Sequence, residues 1–150
     1  MNKIDDLNDA HAGSPAAYAR AYLDYLATCF DSIDCAEIER FVQLLLDVRK
    51  NDRTVFFIGN GGSAATASHF ANDLSIGTRT GGDSPFRTVS LTDNMAVITA
   101  LANDEGYESI FTDQLKVQMR AGDSVVAISA SGNSPNIIAA VDYAKTRNAT

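Results

Sequence analysis

The spacing of apolar residues changes near residue 53, and the change separates a helical start from a strand–helix remainder. Ser14-Pro15 predicts a helix start, with serine as N-cap and proline at the first helical position. Tyr18, Tyr22, Tyr25, Leu26, Cys29 and Phe30 then recur on one helical face. Asp34 with Glu37 reads as a capping box that opens a second helix, which runs to about Lys50. Its apolar positions are Ile38, Phe41, Val42, Leu45 and Leu46, and Asn51-Asp52 breaks it. From Thr54 the pattern becomes a short apolar run followed by a helical stretch, three times over. Thr54–Ile58 leads to Ser63–Leu74. Arg87–Leu91 leads to Asn94–Ala102 and a further helical stretch at Tyr107–Met119. Ser124–Ser129 leads to Ser134–Arg147. Gly77 to Pro85, with Gly81-Gly82-Asp83, reads as a loop.

Short strands that are apolar on both faces and separated by helices imply parallel βαβ units. The expected fold is an α/β three-layer sandwich with a parallel, flavodoxin-like sheet, preceded by two helices. Ligand is expected at the carboxyl ends of the strands, near a topological switch point. The two leading helices pack either on the sheet or on a partner subunit. Residues 1–14 read as a flexible or partly ordered leader and 15–150 as a single domain. Asn148-Ala149-Thr150 falls where another strand would begin. Three parallel strands leave a thin sheet with a poorly protected edge, so further C-terminal strands and a helix are expected beyond this chain.

Composition narrows the class without naming an activity. The 150 residues are 45% hydrophobic and 21% charged, ordinary for a globular protein. The net charge of −7 argues against nucleic acid or an anionic membrane as direct partner. Cys29 and Cys35 form no metal or redox motif and read as free thiols. No apolar run is long enough to span a membrane, and Met1 to Ser14 lacks the features of a signal peptide, so a cytoplasmic protein is expected.

Chemistry concentrates in two turns, Gly59-Asn60-Gly61-Gly62-Ser63 and Ser129-Ala130-Ser131-Gly132-Asn133-Ser134. Each joins a strand to a helix. Backbone N–H groups at a helix start favour an anion, glycine lets the backbone come close, and serine hydroxyls donate to phosphate oxygens. Two such turns point to a phosphorylated small molecule. His69 and Asp73 stand one helical turn apart on one face and suit metal binding or acid–base work. Plainer readings exist for each: Ser63 and Ser134 as N-caps, Gly61 and Gly62 as tight-turn residues, Asn103-Asp104 as a helix end, and His69–Asp73 as a surface pair.

In combination and spacing, these two turns, His69-Phe70-Ala71 and Asn103-Asp104 resemble the sugar isomerase (SIS) domain family. The nearest branch is that of the phosphoheptose isomerases, and the resemblance runs from about residue 35 to the chain end. It implies that Ser129, Ser131 and Ser134 hold a sugar phosphate in the turn that includes Ala130, with Ser63 contributing. It implies that Asn60, Gly61 and Gly62 line the sugar, that Asn103 and Asp104 contact it, and that His69 is a zinc ligand. The family's next position on that helix is normally a glutamate that serves as metal ligand and base; here it is Asp73, one methylene shorter. A base must come within about 2.6–3.2 Å of the proton it removes. The family also supplies a glutamine and a histidine from a later helix, and the only other histidine here is His11. The implied activity is isomerisation of sedoheptulose 7-phosphate through an enediol, in a homo-oligomer, commonly a tetramer. The alternative is a non-catalytic sugar-phosphate-binding protein with a regulatory or assembly role.

Overall fold

The computed structural model describes residues 3–79, 82 and 84–150, in two compact units, 1–40 and 41–150. Of the loop expected over Gly77 to Pro85, Thr80, Gly81 and Asp83 lie outside the described residues, and Gly77 instead closes a π turn.

The first unit holds α1 (Lys3–His11), α2 (Pro15–Asp31) and the first turn of α3 (Cys35–Lys50). Residues 3–11, expected as a flexible or partly ordered leader, form a helix. Ser14 caps α2 as its sequence predicts: its hydroxyl accepts from the Ala17 N–H at 3.3 Å. Tyr18 and Tyr22 stack at 6.1 Å between ring centres, yet no residue of α2 is buried within this chain. The capping box at the start of α3 forms only by half. Asp34 Oδ1 accepts from the Ala36 N–H at 2.8 Å, whereas Glu37 turns forward to pair with Arg40.

The second unit is built on a sheet of β1 (Thr54–Gly59), β2 (Arg87–Ser90) and β3 (Ser124–Ile128). All pairings are parallel and the order is β2-β1-β3. This is the α/β architecture expected. Val55 lies opposite Thr88 on one side and Ser124 on the other. Alternate side chains of β1 enter opposite layers. Val55 and Phe57 pack with Leu45 and Val48 of α3 and with Ala67 and Ala71 of α4 (Gly62–Asn72). Phe56 and Ile58 pack with Ile110, Phe111 and Leu115 of α6 (Ile110–Gln118) and with Ile137 and Ala140 of α7 (Pro135–Thr146). Each of these large side chains contributes roughly 1.5–3 kcal/mol by burial, so β1 is the most firmly held strand.

Between β2 and α6 run α5 (Met95–Asp104) and a 3₁₀ turn at Tyr107–Ser109. Buried Asp123 ties two strand starts together. Its carboxylate accepts from the Thr54 N–H at 2.9 Å and from the Arg120 N–H at 2.8 Å. At the far edge of β3, Thr150 receives a bond from the Val125 N–H at 3.0 Å and gives one to the Asp123 carbonyl at 3.3 Å. That is parallel pairing along the edge β1 does not use, where a next strand was expected to begin. The helix expected over Ser63–Leu74 starts one residue earlier and changes pitch: α4 gives way to a π turn at Asp73–Gly77.

Candidate functional site

In strand order β2-β1-β3 the chain reverses its direction of winding beside β1. The carboxyl ends of β1 and β3 therefore flank the switch point where such folds place ligands. Gly59 ends β1 so tightly against α4 that a Cβ there would sit 2.5 Å from the Ser63 carbonyl oxygen. Only glycine fits. Gly61 follows at φ 56°, ψ −121°, a conformation open to glycine, and it is the N-cap of α4. Ser63, read from sequence as a possible N-cap, is instead inside the first helical turn.

The second turn closes on itself. Ser129 Oγ accepts from the Gly132 N–H at 3.1 Å and Ser131 Oγ from the Asn133 N–H at 3.3 Å. Each hydroxyl thus uses a lone pair for the turn and keeps its proton to donate. Ser134 sits at the N-cap of α7, but its side chain makes no capping bond; its carbonyl receives the Ile137 and Ile138 N–H groups at 3.0 Å each. The plain capping reading therefore fails for both Ser63 and Ser134.

Asn60, Ser63, Ser129, Ala130, Ser131 and Ser134 come together, over Ile128, around a cavity of about 220 Å³. The N-termini of α4 and α7 both open beside it. Hydroxyl protons, backbone N–H groups and two helix dipoles make it suited to an anion without any lysine or arginine. Gly61 and Gly62 shape the first turn but do not line the cavity.

The remaining candidates lie elsewhere. His69 Nε2 stands 3.1 Å from Asp73 Oδ2, with both side chains largely exposed, on α4 and the π turn that continues it. Asn103 and Asp104 form the last turn of α5, joined by a 2.7 Å bond from Asn103 Nδ2 to Asp104 Oδ1. They end a helix, and neither lines the cavity. A catalytic zinc takes three protein ligands. Among the described residues no group of three His, Cys, Asp or Glu side chains converges. His69 and Asp73 alone do not make up a zinc site.

A second polar recess, of about 330 Å³, lies along α4 and β2. Its lining hydroxyls Ser90 and Ser68 are already bonded to Thr92 behind them, at 2.6 Å and 3.0 Å, and Ser68 also donates to Asp93.

Two site residues escaped the sequence reading. Asn136 of α7 and Tyr107 both bond the side chain of Asn60. The signal for Asn136 was available: it shares a helical face with Ala140 and Ala144, and all three are buried. A polar residue on an apolar stripe needs a partner.

Residues 17–150 match the SIS domain family. The chain is 40% identical to a phosphoheptose isomerase of Campylobacter concisus, over 72% of this chain and 57% of that one. It is 37% identical to the phosphoheptose isomerase of Rhodospirillum rubrum, over 85% of this chain and 69% of that one. Its structure superposes on a phosphoheptose isomerase from Neisseria gonorrhoeae with a TM-score of 0.77 at 34% identity, covering 89% of this chain and 68% of that one. The chain spans just over half the length of several of the curated relatives it matches.

Proposed function

The chain belongs to the SIS domain family, in the branch of the phosphoheptose isomerases, and from that premise we propose an aldose–ketose isomerase acting on sedoheptulose 7-phosphate. The observation that carries this reading is the serine-lined cavity at the switch point, with hydroxyl protons free to meet a phosphate.

The serines at 63, 129, 131 and 134 would anchor the phosphate and so fix the sugar carbons in space. A helix rises about 1.5 Å per residue, so His69 and Asp73 stand roughly 9 Å and 15 Å along α4 from Ser63. A sugar held by its terminal phosphate and laid along α4 brings its other end towards them. Asn60, Gly61 and Gly62 would border the sugar, and Asn103 and Asp104 would approach it from α5. Asp73 would take the proton from the carbon next to the carbonyl and return it to the former carbonyl carbon through an enediol, while a proton passes between the two oxygens. His69, beside Asp73, would hold the carboxylate in place.

We place the protein in the cytoplasm, where the free thiols of Cys29 and Cys35 stay reduced. Among the described residues, no helix is long and apolar enough to cross a membrane. A homo-oligomer, a tetramer by resemblance, is supported by the exposure of Leu23 (55%) and Phe30 (67%) on α2.

A second reading, a sugar-phosphate-binding protein without catalysis, is favoured by the short arm of Asp73. Proton NMR of sedoheptulose 7-phosphate in heavy water, with and without added zinc, separates the two. Deuterium incorporation with a new aldose signal supports the isomerase, and Asp73→Asn then lowers the rate by about 10²–10⁴-fold while binding persists. Broadening of the ligand signals without exchange selects the binding protein. Neither exchange nor broadening overturns both.

A further inference from the structure

Asn60 is held from two directions before any ligand arrives. Its Oδ1 accepts from Asn136 Nδ2 at 2.8 Å and from the Tyr107 hydroxyl at 3.0 Å, and its Nδ2 donates to Asn136 Oδ1 at 2.9 Å. A carbonyl oxygen offers two lone pairs and an amide nitrogen two protons. Both lone pairs of Asn60 are therefore taken, and one N–H is left on a side chain that lines the cavity.

The two holding residues come from different elements. Asn136 is only 2% exposed and lies in the first turn of α7, immediately after the serine turn. Tyr107 is 54% exposed and opens the 3₁₀ turn that follows Asn103-Asp104 and Gly106. The reciprocal amide pair joins the β1–α4 turn to the start of α7, and the phenol joins the α5–α6 connection to both.

We infer that Asn136 and Tyr107 are positioning residues that fix Asn60 as a hydrogen-bond donor only, so that the cavity takes an acceptor oxygen of its ligand at that point. Neither residue lines the cavity; both act through Asn60. The inference rests on the sugar-phosphate reading for its ligand, but the clamp itself exists without one.

The test is a double-mutant cycle read by sedoheptulose 7-phosphate binding. Tyr107→Phe removes one hydroxyl from a half-exposed ring, and Asn60→Ala removes the group it holds. Tyr107→Phe is expected to weaken binding about five-fold in the otherwise native protein and not at all in the Asn60→Ala background. Equal losses in both backgrounds would mean that Tyr107 meets the ligand itself, and an unchanged affinity in Tyr107→Phe would mean that the bond constrains nothing; either overturns the inference. Side-chain amide exchange in the ligand-free protein gives a readout that needs no ligand. The Asn60 amide proton given to Asn136 is expected to exchange slowly, and faster in Tyr107→Phe. Exchange of that proton at the free-solvent rate in the native protein overturns the clamp. Slow exchange in a protein that binds no sugar phosphate sustains the clamp and overturns the function proposed above.

Discussion

Two hydroxyl-rich regions lie within one domain, and they spend their protons differently. Around the cavity at the ends of β1 and β3, Ser129 and Ser131 accept from backbone N–H groups, and Ser63 and Ser134 cap nothing. Their protons stay available. In the recess along α4 and β2, Ser68 and Ser90 bond to each other and to Thr92 beside it, and Ser68 gives its proton to Asp93. That recess is larger, yet it offers an anion few donors and a carboxylate. Anion sites are therefore not recognised by counting hydroxyls. What matters is whether the fold has already supplied each hydroxyl with an acceptor.

The comparison breaks most sharply at Gly59. Gly59→Ala drives a Cβ into the Ser63 backbone and is expected to cost about 2–3 kcal/mol of stability in a denaturant titration. Binding of sedoheptulose 7-phosphate should disappear with the displaced turn. A stable variant that still binds would show that the first turn does not shape the cavity. Next in size is Ser134→Ala, which removes a free donor and no internal bond. Affinity should fall about 10–100-fold by calorimetry, the worth of one hydrogen bond to a charged group, with the unfolding midpoint unchanged. The smallest effect belongs to the other region. Ser90→Ala deprives Thr92 of its 2.6 Å partner and should cost about 1 kcal/mol of stability while leaving affinity alone. An affinity loss there equal to that of Ser134→Ala would erase the distinction between the two regions.

Much of the sheet could be read from the sequence because its signals are local. Apolar runs at 54–58, 87–91 and 124–129 mark strands, and Ser14-Pro15 and Asn94 mark helix starts that the structure bears out with cap bonds. The serine turns were legible for the same reason. The π turn at Asp73–Gly77 was not: one additional residue in a turn leaves no trace in composition. The helix at Lys3–His11 was missed because Ile4, Leu7 and Ala10 make only a short, weak stripe among charges. The spacing of Asn136 with Ala140 and Ala144 shows that it needs a partner, but the partner of Asn136 and of Tyr107 stands 76 and 47 residues away, and local spacing does not say which residue that is.

The self-closed serine turn and the clamped Asn60 have a kinetic consequence. A cavity whose groups are already in place asks for no rearrangement on encounter, so arrival of a ligand needs only diffusion and orientation. On the sugar-phosphate reading proposed for it, ligands that share a headgroup would arrive at similar rates and differ in how long each one stays.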